Sequence, residues 1–215
     1  MIAIVDYGVG NLYSLVSSLR HLGLTAEVTG QAEDLRHADR IILPGVGAFG
    51  DARAKLDDTG LVPVLLEEAE KKPFLGICLG MHLLFEEGME GAPDEDDEES
   101  SHNAPGLAVL PGVVAKMPKT DAAGTAYKIP HVGWNTVAFA EDSPLFDGIP
   151  EGEYFYFTHS YIAPSGPFVV GETTHSVTFP SAVQYGDACF GVQFHPEKSS
   201  DAGAALLRNF VRIVE

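Results

Sequence analysis

The sequence contains few cysteines and few basic residues, and it has no long apolar run. Two cysteines among 215 residues cannot form a disulfide framework, which is typical of proteins in a reducing compartment. No stretch approaches the roughly 20 consecutive apolar residues that a membrane-spanning helix needs. The first residues, MIAIVD, lack the basic and long apolar segments of a signal peptide. We therefore expect a cytoplasmic protein that does not enter a membrane.

The shortage of basic residues makes the chain strongly acidic. Its 31 acidic and 13 basic residues give a formal net charge of −18. This charge argues against nucleic acid or an anionic membrane as a partner. A hydrophobic fraction of 45% argues against general disorder. We interpret the acidity as a surface suited to concentrated intracellular salt; the alternative is an ordinary acidic protein with one acidic loop.

Part of the negative charge is concentrated in one segment. Residues 94–99 are six consecutive acids, DEDDEE, which repel one another and favour solvent. We predict a mobile surface loop over residues 91–105. A calcium site is the alternative, but the glycine-punctuated spacing of an EF-hand loop is missing. We therefore expect no metal site.

The rest of the chain predicts a single α/β domain. Strand and helix patterns alternate in the first half, which favours a mostly parallel sheet covered by helices on both faces. The predicted strands are residues 2–6, 25–29, 40–43 and 74–77, and two of the predicted helices are residues 51–57 and 62–71. A further helix is predicted after Asn11, which would be its N-cap. The apolar face of that helix is formed by Leu12, Leu15, Val16, Leu19 and Leu22. The second half has short strand-like runs, typical of additional strands, at 109–117, 154–157, 168–172, 181–184 and 189–194, followed by a helix at 202–214.

Cys78 stands at the most informative turn of the sequence. The segment Gly76-Ile77-Cys78-Leu79-Gly80 follows an apolar strand and precedes a helix. Such an elbow presents a thiol at the edge of the sheet near the positive end of a helix dipole, which favours the thiolate. The flanking glycines permit the sharp turn. In a parallel sheet, the turns at Gly8, Gly45 and Cys78 can share one rim.

A histidine and a carboxylate lie far downstream, in the segment GVQFHPE. His195 could accept the proton of the thiol and Glu197 could orient the imidazole, which completes a nucleophile, base and orienting group. The structural alternatives are a buried histidine and a solvated surface acid. Cys189 is interpreted as an inert buried thiol, with a Cys78–Cys189 disulfide as the alternative.

Six blocks of sequence, in order, carry a resemblance that covers nearly the whole chain. They are DYGVGN (6–11), LPGVGAF (43–49), GICLG (76–80), PHVGWN (130–135), YFTHSY (156–161) and GVQFHPEKS (191–199). Together they closely resemble the class I, triad-type glutamine amidotransferases, and within that class the family of glutaminase subunits of imidazole glycerol phosphate synthase, from histidine biosynthesis. The resemblance implies a flavodoxin-like α/β fold.

The resemblance also implies a reaction. Members of the family hydrolyse the side-chain amide of glutamine to glutamate and ammonia, without a cofactor, and Cys78, His195 and Glu197 match their catalytic triad. The oxyanion of the intermediate would meet backbone N–H groups of Leu79 and of the turn at Gly45, Val46 and Gly47. That turn would move when a partner binds. An ordinary glycine-rich turn would explain the same glycines.

The glutamine pocket is implied in the same way. Glu90 matches the acid that contacts the substrate's amino group, and Ser160 and Tyr161 match the segment that lines its carboxylate. The family usually has glutamine four residues after the nucleophile, where this chain has His82. One turn along the helix from Cys78, His82 is expected to face the same pocket and to replace the glutamine without a new role, since it can still offer an N–H; a role as a second base is the alternative.

The family pairs this subunit, as a heterodimer, with a (β/α)8-barrel cyclase. The cyclase uses the ammonia to make imidazole glycerol phosphate and an aminoimidazole-carboxamide ribonucleotide. The resemblance implies an interface at Asn11, Lys128, Pro130, His131, Trp134 and Asn135. A core position is the alternative for Trp134. The alternatives for the whole chain are another amidotransferase of the class, a regulatory module that kept the fold, and a cysteine peptidase.

Overall fold

The computed structural model describes residues 1–92 and 102–213, and strands alternate with helices through the first half. The strands of this half are β1 (Ile2–Val5), β2 (Ala26–Thr29), β3 (Arg40–Leu43), β4 (Phe74–Ile77) and β5 (Phe85–Gly88). The helices are α1 (Leu12–His21), α2 (Ala32–His37), α3 (Phe49–Thr59), α4 (Val62–Ala69) and α5 (Leu79–His82). The predicted alternation is confirmed. Asn11 is the N-cap of α1, since its side chain accepts a hydrogen bond from Ser14 N at 3.3 Å.

Strands dominate the second half, and a long helix follows them. The strands are β6 (Ala104–Pro105), β7 (Leu110–Lys116), β8 (His131–Thr136), β9 (Ala138–Phe139), β10 (Tyr154–His159), β11 (Tyr161–Ile162), β12 (Val169–Thr174), β13 (Thr178–Tyr185) and β14 (Cys189–Val192). Helix α6 is Ser200–Arg212, and 3₁₀ turns occur at Pro144–Phe146 and Pro196–Lys198. The sequence pattern missed α2 and the strands β5, β6, β8, β9 and β11.

Eight of the described strands form the central sheet, in the order β2-β1-β3-β4-β14-β13-β12-β9. The pairs from β2 through β14 are parallel, and β13, β12 and β9 extend the sheet in antiparallel fashion. The sheet is buried on both faces: Ala3 and Val5 belong to one buried apolar cluster and Ile2 and Ile4 to the other. The predicted fold class is confirmed.

The pairing of β14 with β4 positions the functional residues. Val192 lies opposite Ile77, and Cys78 N donates to Val192 O at 2.8 Å. Because the two strands are parallel, the residues after each of them emerge at the same edge of the sheet. Cys78 and the segment that leads to His195 therefore meet there, although more than a hundred residues separate them.

The predicted loop over residues 91–105 needs a correction at its end. Ala104 and Pro105 form β6, which pairs with Gly88 and Glu87 of β5. This pairing depends on partners distant in sequence, so the local composition did not reveal it. The acidic run at residues 94–99 lies outside the described residues.

Candidate active site

The turn at Cys78 has a backbone conformation that non-glycine residues seldom adopt. Its φ of 53° and ψ of −109° place it between β4 and α5 in a strained elbow. A Cβ atom at Gly76 would lie 2.6 Å from Gly80 O, and one at Gly80 would overlap Leu43 O. Glycine at both positions is therefore required by the close approach of α5 to β3 and β4.

The thiol of Cys78 lies on the wall of a cavity of about 440 Å³. Its sulfur is 4.0 Å from Thr158 O, to which the thiol donates, and 3.8 Å from Nε2 of Gln193, which donates to the sulfur. His195 lines the same cavity. Cys78 and Cys189 are both free and buried, so the alternative of a disulfide between them is excluded. Burial raises the pKa of Cys189 to about 12, which keeps that thiol protonated and inert.

His195 and Glu197 form a buried pair. Nδ1 of His195 lies 2.8 Å from Oε1 of Glu197, and the two side chains are only 3% and 4% exposed. Since the carboxylate accepts the proton on Nδ1, the other ring nitrogen, Nε2, is the one available for proton transfer. Among the described residues Nε2 has no hydrogen-bond partner, although it is buried.

The backbone of the histidine loop is fixed by Ser199. The Ser199 hydroxyl donates to His195 O at 2.6 Å and accepts from Tyr156 N at 2.9 Å. His195 N in turn donates to Tyr156 O at 2.9 Å. Two of these hydrogen bonds hold the loop against β10 and the third lies within the loop, so that the imidazole has a defined position.

The electrostatics of His195 favour its charged form. Burial alone would lower the pKa of His195, but the nearby sulfur of Cys78 and the hydrogen-bonded carboxylate of Glu197 outweigh it and raise the pKa to about 9. At neutral pH the imidazole is therefore protonated when the sulfur is a thiolate. An imidazolium beside a thiolate is the charge distribution that a cysteine nucleophile uses.

The cavity brings together most of the residues predicted for the site. Besides Cys78 and His195, the predicted residues on its wall are Val46, Gly47, Leu79, His82, Glu90, Ser160, Tyr161 and Pro130. Gly45 lies behind the wall, because a Cβ atom there would be within 2.9 Å of Gly80 N and of the Tyr7 hydroxyl. Tyr7 donates from this hydroxyl to Pro44 O at 2.7 Å. The turn predicted for the oxyanion therefore packs directly on the elbow.

His82 lies in the cavity wall with its ring turned to another residue. Its side chain is buried, and Nε2 is 2.6 Å from Oε1 of Gln193. Burial lowers the pKa of His82 to about 4, so that the ring is neutral at physiological pH. The bond to Gln193 was not expected from the sequence.

Several cavity residues were missed by the sequence analysis. They are Ala48, Thr158, His159 and Lys198, together with Gln193 behind the thiol. In β10 the buried residues Phe155, Phe157 and His159 alternate with less buried ones, and this alternation was the signal that could have placed His159 inside. Gln193 gave no such signal, because its neighbours Val192 and Phe194 are buried as well.

The residues predicted for an interface differ in exposure. Trp134 is 52% exposed and packs edge-to-face on Tyr156 with ring centroids 6.0 Å apart, which excludes a core position. His131 is buried, with Nδ1 3.0 Å from Nε2 of His159. Its side chain therefore supports β8 from inside instead of facing a partner. Asn135 donates to Thr174 O at 2.9 Å, and Lys128 O accepts from His175 Nε2 at 2.9 Å.

Within residues 1–92 and 102–213, no group of three or more His, Cys, Asp or Glu side chains is arranged to hold a metal ion. In the same residues, no helix has the length and apolar character needed to cross a membrane.

Comparison with known proteins gives one consistent family. Residues 3–214 match the family model "Glutamine amidotransferase class-I". Two relatives are each 45% identical and are described as "Imidazole glycerol phosphate synthase subunit HisH": one from Shouchella clausii, over 217 residues, and one from Methanothermobacter thermautotrophicus, over 216 residues. Each alignment covers 100% of this chain and 99% of the relative.

Solved structures show the same fold at lower identity. One titled "Crystal structure of glutamine amidotransferase" has a TM-score of 0.71 at 19% identity and covers 99% of this chain and 98% of its own. The structure of PurLQS from Thermotoga maritima has a TM-score of 0.71 at 18% identity, with coverage of 100% and 98%. These two similarities concern the fold.

Proposed function

This chain belongs to the class I glutamine amidotransferases, and from that membership we propose that it is the glutaminase subunit of imidazole glycerol phosphate synthase in histidine biosynthesis. The observation that carries the chemistry is the buried His195–Glu197 pair, whose histidine lines the same cavity as Cys78. The choice of subunit rests on relatives 41–46% identical over essentially the full chain.

The first half of the reaction cleaves the amide of glutamine. The Cys78 thiolate attacks the amide carbon and forms a tetrahedral intermediate, whose oxyanion is stabilised by backbone N–H groups of Leu79 and of the turn at Val46 and Gly47. When the C–N bond breaks, the imidazolium of His195 gives its Nε2 proton to the leaving nitrogen. Ammonia departs and a thioester remains on Cys78.

The second half releases glutamate. His195 is now neutral and accepts a proton from a water molecule as that water attacks the thioester carbon. The C–S bond breaks, and the Cys78 thiolate and the imidazolium are restored. Glu197 keeps the proton on Nδ1 throughout and stabilises the charged ring. The sum of the two halves is glutamine and water to glutamate and ammonia.

Recognition of glutamine is proposed to involve one end of the cavity. Glu90 would hold the ammonium group of the substrate, and Ser160 and Tyr161 would line its carboxylate. All three line the same cavity as Cys78, which supports this arrangement. A cavity of about 440 Å³ accommodates one amino acid and ordered water.

The ammonia is proposed to pass to a cyclase subunit bound as a heterodimer. An exposed apolar surface on the β8–β10 pair supports such a partner: Val132, Trp134 and Tyr154 are 57%, 52% and 56% exposed. Pro130, just before β8, lines the active-site cavity. This surface therefore lies next to the site that the partner would activate.

The test is ammonia release with and without that partner. We expect weak glutaminase activity from the subunit alone and stimulation of roughly 5- to 150-fold, the usual range of coupling between sites, when a cyclase subunit and its aminoimidazole-carboxamide nucleotide are added. Trp134→Ala should weaken the stimulation. Tyr185→Ala, which also removes an exposed aromatic but at the far end of the sheet, should not. Absence of stimulation would contradict the assignment to this synthase.

The acidic surface is proposed to suit a cytoplasm with concentrated salt. A net charge of −18 repels itself at low ionic strength, and the Debye length shortens to about 3 Å in molar salt. The free energy of unfolding should therefore increase from low to molar KCl, as measured by urea denaturation. Sorbitol serves as the uncharged control. Equal stability at low and molar KCl would contradict adaptation to salt.

A further inference from the structure

A buried chain of hydrogen bonds connects His82 to the nucleophile through Gln193. Nε2 of His82 lies 2.6 Å from Oε1 of Gln193, and Nε2 of Gln193 lies 3.8 Å from Sγ of Cys78. Gln193 is completely buried and His82 is 4% exposed. The three residues come from the nucleophile elbow and from the segment after β14, which are adjacent because β4 and β14 pair.

The donors and acceptors in this series of hydrogen bonds follow from the chemistry of the three side chains. A side-chain amide carries one acceptor oxygen and one donor nitrogen. If the ring N–H of His82 donates to the oxygen of Gln193, the NH₂ group of Gln193 is left to face the sulfur. With the amide reversed, a carbonyl oxygen would face the sulfur and repel a thiolate. Because burial lowers the pKa of His82 to about 4, the ring is neutral and its Nε2 can carry the one N–H that this orientation needs.

We propose that His82 is a positioning residue that acts through Gln193 on the Cys78 thiolate, and that it is not a contact for glutamine. The proposal rests on the proposed function in that Cys78 is taken as the nucleophile. Its basis is that the Nε2 atom of His82 is already occupied by Oε1 of Gln193, 2.6 Å away.

The thiolate needs such a donor. Cys78 is only 7% exposed, and loss of water disfavours a charged sulfur. Thr158 O, 4.0 Å from the sulfur, accepts from the thiol but offers nothing to the thiolate. The NH₂ group of Gln193 and the imidazolium of His195 both favour the anion. Loss of the His82 donor, which orients the amide of Gln193, should therefore reduce the fraction of Cys78 that is thiolate.

Other charged or titratable groups around the sulfur remain the same in every variant. On the neighbouring elements and the cavity wall they are Tyr7, Glu90, His159, His195, Glu197 and Lys198. A comparison between variants in this constant environment therefore reports the contribution of His82 and Gln193.

The experiment measures alkylation of Cys78 by iodoacetamide as a function of pH, using the full chain without glutamine. Cys189 does not interfere, because its thiol is buried and protonated. We expect His82→Phe, which keeps a ring but cannot donate, to slow alkylation near neutral pH by about three- to tenfold, the effect of one hydrogen bond. The half-maximal rate should move to higher pH. His82→Gln restores an N–H donor and should react nearly as the natural chain does.

A double-mutant cycle tests whether the effect passes through Gln193. Gln193→Leu should slow alkylation by a similar factor, and adding His82→Phe to it should have no further effect. If His82→Phe fails to fold, His82→Leu, which is smaller and also cannot donate a hydrogen bond, takes its place. Circular dichroism and thermal unfolding check the fold of each variant.

The outcomes distinguish a positioning role for His82 from a contact with glutamine, and they test this role separately from the proposed function. Unchanged alkylation in His82→Phe together with a raised KM for glutamine would make His82 a substrate contact and overturn the proposal. Additive effects of the two changes would overturn the route through Gln193. Alkylation of Cys78 does not require turnover of glutamine. If the variants showed the expected alkylation rates but the protein had no glutaminase activity, only the proposed function would be contradicted.

Discussion

Ammonia release from glutamine should fall by at least roughly 10³-fold when Cys78 is replaced by alanine, because the thioester can no longer form. The fold should persist. The change removes one sulfur atom whose hydrogen bonds, at 3.8 and 4.0 Å, are long ones. The strained φ of Cys78 is set by the elbow and remains the same. The measurement is steady-state ammonia production with the cyclase subunit present.

Cys189→Ala is the matched control. Cys189 is also free and buried, but it lies at the opposite end of β14 from the site, opposite Phe74. Its loss should cost about 1 kcal/mol of unfolding free energy, as for a small core truncation, and leave the activity intact. Glutaminase activity that survived Cys78→Ala would contradict the mechanism.

The same variant has a second readout in His195. Burial lowers the pKa of this histidine, whereas Cys78 and Glu197 together raise it to about 9. Without the negative sulfur, the pKa of His195 should fall, and less of the ring should be charged at neutral pH. NMR titration of the ring protons measures this shift. A pKa that stayed the same in Cys78→Ala would show that the sulfur and the imidazole do not interact.

The sequence was sufficient for those parts of the site that depend on local geometry. The elbow at Cys78 follows from a short apolar strand, two glycines and a helix, and all three elements occur where they were predicted. The alternation of strands and helices likewise predicted a parallel sheet, and hence that Cys78 and His195 could emerge at one edge. Each inference used a pattern confined to a few neighbouring residues.

The remaining parts depend on pairing between distant segments. Gln193 reaches Cys78 because Val192 lies opposite Ile77, and this register is invisible in either segment alone. Strand β8 was missed because the pattern of HVGWNT, with exposed Val132 and Trp134, is that of a surface segment. It forms a strand because it pairs with β10 over six residues. Such partners are selected by the tertiary fold and not by local composition.

The second large effect is expected on stability, from Gly80→Ala. Gly80 lies in α5 where the helix crosses the end of β3, and an added Cβ atom would overlap Leu43 O. Leu43 is paired with Gly76 of β4, so its carbonyl cannot retreat without breaking the centre of the sheet. We expect a loss of at least about 3 kcal/mol in unfolding free energy, within the range of severe core substitutions. Urea denaturation followed by circular dichroism measures it.

Gly60→Ala distinguishes this overlap from the general cost of replacing glycine. Gly60 ends α3 in the left-handed region, with a φ of 70° and no atom within 4 Å of an added Cβ. Its replacement should therefore cost only the left-handed strain, about 1–2 kcal/mol. If Gly80→Ala were no worse than Gly60→Ala, α5 would not be held against β3. The strained φ of Cys78 would then need another cause, because it is this contact that fixes the elbow from the side of the sheet.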